Sequence, residues 1–224
     1  MESLFATIDA EYMGKLLIIL LQGVLTSLKI FGITLVIAVP LGFLVSFAKK
    51  SKYKIVSVPI NIYILIMRGT PLLLQILIVY FGPYYVFKLS YDRFAAIIIA
   101  FVLNYAAYFA EIFRGGIESM PVGQYEAAGA LGFTKAQTFF RIILPQVVKR
   151  ILPACANEVI TLVKDTALAQ TIGVAELFAL SSKQASFKTS VIPLFVAGIF
   201  YFVLNWIVTA AFAYFEKKLD YYKI

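Results

Sequence analysis

Residues 123–146, GQYEAAGALGFTKAQTFFRIILPQ, decide the fold, because they form the longest stretch that can be neither a membrane span nor a simple tail. Apolar residues there alternate with Gln124, Glu126, Lys135, Gln137 and Arg141. Gln124 to Leu131 is rich in strong helix formers, Gly132 stands where a helix end favours glycine, and Thr134 with Gln137 three residues on makes a capping-box pattern. Pro145 is expected to close the second helix. The stretch therefore predicts two short helices around a glycine, and its role depends on what flanks it.

The flanks are apolar. With 62% hydrophobic and 14% charged residues in 224, and a mean hydropathy of +0.89, the chain lies far outside the range of a soluble domain and reads as an integral membrane protein. Its formal charge of +8 invites a nucleic-acid reading, but the lysines and arginines gather at the ends of apolar runs and form no basic face, which excludes that partner. One cysteine, Cys155, rules out a disulfide framework within the chain and argues against a thiol-ligated metal. The absence of histidine removes most familiar catalytic and metal chemistry. The opening residues, with Glu2, Asp9 and Glu11, do not read as a cleaved secretory signal, so insertion is expected to be driven by the spans themselves.

Five spans are expected, at about residues 23–48, 55–81, 94–113, 151–172 and 191–215, each long enough to cross roughly 30 Å of hydrocarbon. Leu16 to Gln22 reads as an interfacial lead-in to the first, and Lys29 as a snorkelling side chain. The class is thus all-α, one polytopic membrane domain over residues 1–224, with a loop at about 118–148 between spans three and four. Five spans put the termini on opposite sides. Twelve basic residues collect on one side: Lys49, Lys50, Lys52, Lys54, Arg114, Lys135, Arg141, Lys149, Arg150, Lys217, Lys218 and Lys223. Only five, Lys15, Lys88, Arg93, Lys183 and Lys188, fall on the other. The positive-inside rule then places the amino terminus outside, and the 123–146 hairpin and carboxyl terminus in the cytoplasm.

Charge inside a span costs about 2.5 to 3.5 kcal/mol on insertion scales, so each such group needs a partner or a wet cavity. Three sets stand out. In the second span, Arg68-Gly69-Thr70-Pro71 breaks the helix; this is either a kink with Arg68 paired to a carboxylate or unwound backbone bordering a substrate path with Thr70. In the third, Asn104, Tyr108 and Glu111 share one face, as path lining or as interhelical glue, with Glu111 in reach of Arg114. In the fourth, Glu158, Thr161 and Asp165 share a face that could hold an ammonium or guanidinium group, or be neutralised by Arg68 and Lys164. With Pro153 and this polarity, the fourth span is expected at the centre of the bundle.

At these residues the chain resembles the permease subunits of type I ATP-binding-cassette importers, specifically the polar amino acid branch that handles substrates such as arginine, histidine or glutamine. Glu126-Ala127-Ala128, Gly132 six residues after Glu126, and Ile142, Leu144 and Pro145 look like the "EAA" loop of that superfamily. Arg68-Gly69-Thr70-Pro71, residues 107–117 (AYFAEIFRGGI) and Lys164-Asp165-Thr166-Ala167-Leu168 narrow it to the branch, Ala167 standing for the more usual serine. The resemblance implies the MetI-like permease fold, location in the bacterial cytoplasmic membrane, and transport of a polar amino acid, expected to be cationic, by alternating access. It implies as partners a second permease copy or homologue, two ATPase subunits that bind ATP and Mg²⁺, and an extracytoplasmic solute-binding protein. Glu126 would anchor the hairpin in the ATPase, Ala127 and Ala128 would allow close approach, Gly132 would set the turn, and Leu144 and Pro145 would complete the coupling element. A hairpin lying in the membrane interface without a partner is the bland alternative; Ala-Ala-Gly-Ala offers little apolar anchorage for it.

The chain itself is expected to carry no cofactor and no ATPase. A P-loop requires G-x-x-x-x-G-K-[ST], and residues 129–135 (GALGFTK) have the wrong spacing and no following hydroxyl. The path residues proposed on this reading are Arg68, Thr70, Asn104, Tyr108, Glu158, Thr161 and Asp165. The rival is an ion- or proton-coupled secondary transporter using the same carboxylates, but the inverted repeats usual in such folds are not evident.

Overall fold

A computed structural model describes residues 10–90 and 92–219; Glu2, Asp9 and Lys223 of the charge argument lie outside the described residues. The described chain is helical throughout. Helix α1 (Ala10–Lys49) leads to α2 (Lys54–Gly69), α3 (Leu72–Phe87) and α4 (Arg93–Glu118). The central hairpin is α5 (Val122–Ala130) and a short turn α6 (Lys135–Gln137), which continues through a π-helical turn (Thr138–Ile143) into α7 (Leu144–Asp165). A 3₁₀ segment (Thr166–Ile172), α8 (Leu177–Lys188) and α9 (Ile192–Lys218) complete it.

The ends of these helices meet at two poles. At one, Lys49 of α1 pairs with Glu111 of α4 at 2.5 Å, and Lys50 with Glu118 at 3.3 Å. There too, Gly116 of α4 lies against Ile151 and Val147 of α7, and Lys149 of α7 shares a pocket with Glu216 and Lys217 of α9. At the opposite pole Gly23 of α1 abuts Leu177 of α8, Tyr12 donates to Gln184, and Gly173 sits on the Arg93 guanidinium at the start of α4. Helices α1 and α4 therefore run the same way, and the chain between them must cross back once. The α2–α3 pair, bent by 113°, makes that crossing, so it is a broken pass rather than a loop that returns to its own side. Helix α7 with its 3₁₀ extension returns again, and α9 comes back beside it. By length and hydropathy, three helices among the described residues can cross a membrane, Glu11–Lys49, Arg93–Glu118 and Ile192–Lys218, with the bent pair as a possible fourth. Helix α7 falls short of that standard because it carries Lys149, Arg150, Glu158, Lys164 and Asp165.

The main core lies along α4, whose Ala96, Ala100, Phe101, Tyr105, Ala106 and Phe109 are buried against α1, α3 and α7. Small residues set the spacing. A Cβ on Gly42 would stand 2.7 Å from the Phe109 Cβ, 2.9 Å from the Ala106 carbonyl oxygen and 3.1 Å from the Ala110 nitrogen, so α1 and α4 touch through their backbones. A second cluster joins Leu16, Leu20 and Val24 of α1 to Leu177 and Ala197. Its hub is Glu176, fully buried, which caps α8 by accepting from the Phe178 and Ala179 N–H groups and also accepts from Tyr201 at 3.0 Å and Ser27 at 3.5 Å. Burial pushes its carboxyl above the usual range, and those four donors pull the other way.

Several sequence expectations need correction. Leu16 to Gln22 is not a separate lead-in: α1 is one helix of 40 residues, about 60 Å long, continuous through Pro40, and its Leu16 and Leu20 are fully buried on α8 and α9. The third pass continues to Glu118, and the fourth loses α-helical form after Asp165. Pro145 does not end the second hairpin helix. A proline lacks the N–H and crowds the carbonyl four residues back, but here the π-helical turn shifts the ladder, with the Leu144 N–H donating to Phe139 five residues back. Pro145 then falls in the first turn of α7, where its missing donor is harmless. One continuous helical rod thus runs from Lys135 to Asp165.

Candidate functional site

Two features are candidates for function: a polar band between α2–α3, α4 and α7, and the exposed hairpin.

The band begins at the break. Pro71 and the bend leave backbone carbonyls of α2 without helical donors, and two buried amides replace them. Gln75 Nε2 donates to Met67 O at 3.0 Å, to Thr70 O at 3.1 Å and to Thr70 Oγ1 at 2.8 Å. Asn104 Nδ2 donates to Met67 O at 3.1 Å and to Gln75 Oε1 at 2.9 Å. Thr70 in turn donates to Ile66 O at 2.8 Å, and Tyr63 of α2 donates to Leu103 O of α4. Asn104 and Thr70 are therefore engaged in holding the bend, with Asn104 buried and Thr70 exposed.

Beyond the clamp, the Arg68 guanidinium lies 5.3 Å from the Tyr108 ring centroid and 3.6 Å from a Glu111 oxygen. Glu111 already holds Lys49 at 2.5 Å and Arg114 at 2.8 Å, the latter being the i+3 pair expected from spacing. Arg114 also pairs with Glu118. Arg68 is thus the outermost of three cations around one carboxylate, and it is the one that reaches toward α7, where its field acts on Glu158. The Tyr108 ring packs against that of Tyr105 at 6.5 Å, and the Tyr105 hydroxyl donates to Asp165 Oδ2 at 2.8 Å. Glu158 and Asp165 are partly buried on α7, and the charge of Asp165 acts on Glu158; Thr161 between them is exposed, and Lys164 acts on Asp165. The folded chain therefore brings Arg68, Tyr108, Glu158 and Asp165 together, and ties Asn104 and Thr70 to the support of Arg68. Their chemistry suits a zwitterion with a further cationic group: a guanidinium for a carboxylate, and two carboxylates for ammonium or guanidinium.

Sequence reasoning missed Gln75, Tyr105 and Glu176. Gln75 was legible as the one amide in the apolar run of residues 72–79 (LLLQILIV), four residues beyond the proline. Tyr105 carried no such signal, since an aromatic beside Asn104 looks like core until its hydroxyl is seen on Asp165.

The hairpin stands at the pole of Lys49 and Lys149. Both halves of its capping box form: Gln137 N–H donates to Thr134 Oγ1 at 3.3 Å, and Thr134 N–H to Gln137 Oε1 at 2.9 Å. Gly132 has φ +79, the left-handed turn that favours glycine. Ala128 is buried, while Glu126, Ala127, Gly132 and Pro145 are exposed and Leu144 is half-buried. Exposed beside them are Val122 at 69%, Leu131 at 75% and Phe140 at 62%, an apolar surface around small residues.

Residues 38–221 match the family described as binding-protein-dependent transport system inner membrane component. The chain is 35% identical over 220 residues to an octopine transport system permease protein of Rhizobium radiobacter, covering 94% of this chain and 90% of that one. It is 37% identical over 201 residues to an arginine transport system permease protein of Bacillus subtilis, covering 89% and 92%. Among solved structures, an amino acid ABC transporter with histidines superposes with a TM-score of 0.86 at 33% identity, over 95% of this chain and 99% of that one. The MetNI methionine ABC transporter in an inward-facing conformation superposes with a TM-score of 0.72 at 17% identity, over 95% and 99%, and bears on the fold alone.

Proposed function

The chain belongs to the family of binding-protein-dependent transport system inner membrane components, and from that membership we propose that it is the permease subunit of an ATP-driven amino acid importer in the bacterial plasma membrane. Its partners on this reading are a second permease, cytoplasmic ATPase subunits that bind ATP and Mg²⁺, and a solute-binding protein outside. The hairpin faces the cytoplasm with the carboxyl terminus, and the amino terminus faces out, as the basic residues at the hairpin pole favour.

The observation that carries the mechanism is the unbroken rod from Lys135 to Asp165. A partner holding the exposed surface at Glu126, Ala127 and Gly132 also grips the base of that rod, since Gln146 donates to Gln124 at 3.3 Å and the π-helical turn packs on α5. Closure of the ATPases would displace the base of α7, and the same helix bears Glu158 and Asp165. Movement is thus delivered to the carboxylates without any flexible joint between, which is what alternating access needs. The substrate is a cationic amino acid: Glu158 and Asp165 take its side-chain cation and ammonium group, Arg68 its carboxylate, and Tyr108 and Thr161 line the way, with Thr70 and Asn104 fixing the break behind them.

Reconstitution tests this directly. Vesicles holding the complex with its binding protein should take up labelled arginine with ATP inside and not with an ion gradient alone. Glu158→Gln should lower arginine uptake by tenfold or more, about 1.4 kcal/mol or greater, with assembly intact. Glu126→Lys should abolish uptake and detach or uncouple the ATPase. Uptake driven by a sodium or proton gradient without nucleotide would overturn the assignment in favour of a secondary transporter, and unchanged arginine uptake in the Glu158 variant would remove that residue from the path.

A further inference from the structure

The free side of α7 differs in kind from that of α9. On α9 the exposed side chains include Phe195, Ile199, Phe202 and Trp206, an apolar surface fit for lipid. On α7, from Pro153 to Asp165, the exposed residues are Pro153, Ala154, Asn157, Thr161 and Lys164, and among the described residues no large apolar side chain of α7 beyond Val148 is exposed. Positions 154, 157, 161 and 164 recur at three and four residues, so they form one stripe, and Thr161, about 60° around the helix from Glu158, joins it to the carboxylates. Among the described residues, the side chains of Asn157, Thr161 and Lys164 make no hydrogen bond or ion pair; Lys164 acts on Asp165 through its field alone. Polar groups midway between the two poles are expensive against hydrocarbon, so a stripe of this kind belongs against water or protein.

We propose that this stripe is the wetted wall of the path and that Lys164 is its outer station for the substrate carboxylate, a residue that sets specificity for amino acids over amines bearing the same side-chain cation. This rests on the reading of Glu158 and Asp165 as the cation site. Lys164 stands six residues beyond Glu158, a rise of about 9 Å toward the outer pole, whereas Arg68 approaches Glu158 from the hairpin pole. A cationic amino acid entering from outside meets Lys164 with its carboxylate while its cation turns to Asp165, and the carboxylate passes on to Arg68 as the cation moves to Glu158. An exposed ammonium suits such a station, because water screens it and the hold is weak enough to release. An amine without the carboxylate meets Lys164 and Arg68 only as like charges, so the pair that favours the amino acid opposes the amine.

The test displaces labelled arginine from the assembled permease–ATPase complex in nanodiscs, without the binding protein, whose own selectivity would mask that of the path. The competitors are unlabelled arginine and agmatine, which is arginine without its carboxylate. Arginine should displace the label better than agmatine on the wild-type complex. Lys164→Gln should narrow that ratio by about fivefold, the upper end for an exposed ion pair, by weakening arginine and not agmatine, and Lys164→Arg should restore it. Glu158→Gln should weaken both competitors alike. A wild type that binds no arginine, or a Glu158 variant that binds both normally, brings down the cation site and this proposal with it; an unchanged ratio in Lys164→Gln beside the expected Glu158 effect overturns the role of Lys164 alone. Water at the stripe has its own readout. In a Cys155→Ser background, Asn157→Cys should react with a charged, membrane-impermeant methanethiosulfonate and Phe202→Cys should not. An unreactive Asn157→Cys would mean that lipid or a second copy of the chain covers the stripe, and overturns the proposal.

Discussion

The α1–α4 seam and the α5–α6 hairpin are both built on small residues, and they use them in opposite ways. Along the seam, Gly42, Ala106 and Ala110 let two backbones meet, and the space a methyl group would need is already filled. On the hairpin, Gly123, Gly129 and Gly132 have nothing within 4 Å of where a Cβ would stand, and Ala127 is exposed. Within lipid, close packing of small residues is what holds helices together, since tails compete equally for larger apolar groups. The seam has made that contact within the chain. The hairpin has the same composition with the contact still open, as the proposed docking of a partner there requires.

The largest effect should come from filling the seam. Gly42→Leu puts a branched side chain where its first carbon already meets the backbone of α4. Overpacking costs about 1–3 kcal/mol where side chains can adjust, and backbone cannot adjust as cheaply, so the loss should reach the upper end or beyond. A fall in yield and in the thermal midpoint of the solubilised complex would register it. A normal midpoint would mean that α1 and α4 are free to part, and that the seam is no more fixed than the hairpin.

A middle effect is expected where α4 meets the break between α2 and α3. Asn104 belongs to α4, yet its amide holds Met67 and Gln75 across the break. Asn104→Ala leaves Gln75 Oε1 without its buried donor, at a cost of about 1–3 kcal/mol. Met67 O retains the Gln75 bond at 3.0 Å, which favours the lower half of that range. The same thermal measurement checks it. Arginine uptake should fall further than the midpoint, because Arg68 is one residue from the carbonyl that loses support. Uptake and stability falling in proportion would make Asn104 simple packing.

Composition and spacing made much of this legible. Hydropathy gave the class, the Arg68-Gly69-Thr70-Pro71 break was placed correctly, and the capping box at Thr134 and Gln137 formed in full, because each rests on local chemistry. What stayed hidden needed distance or direction. The 113° bend depends on which way α3 packs on α4. The second and third cations of the Glu111 cluster, Lys49 and Arg68, come from helices 62 and 43 residues earlier in sequence. The passage of the helix through Pro145 depended on a π-helical turn, which leaves no mark in periodicity read at 3.6 residues. Helix α8 was missed because its Ser, Lys and Gln residues look like loop until Glu176 caps them and Leu177 meets Gly23.

The smallest change, with the opposite sign, should come from the hairpin itself. Gly129 lies near the end of α5 in ordinary helical geometry, with open space around it. Alanine there removes the entropic cost of glycine in a helix and should stabilise the hairpin by up to about 1 kcal/mol. Nothing within the chain is crowded by the added methyl, so the midpoint of the isolated permease should hold or rise slightly. If the surface is completed by a partner packed as closely as α4 packs on Gly42, the same methyl stands in that partner's way. ATPase activity stimulated by the loaded binding protein should then fall while the fold gains. Gly42 and Gly129 thus make opposite predictions for one kind of substitution, and only a partner seated on the hairpin makes the second harmful. Stimulation that stays at the wild-type level in Gly129→Ala would show that contact there is loose, and that the hairpin is gripped through Leu131 and Phe140 instead.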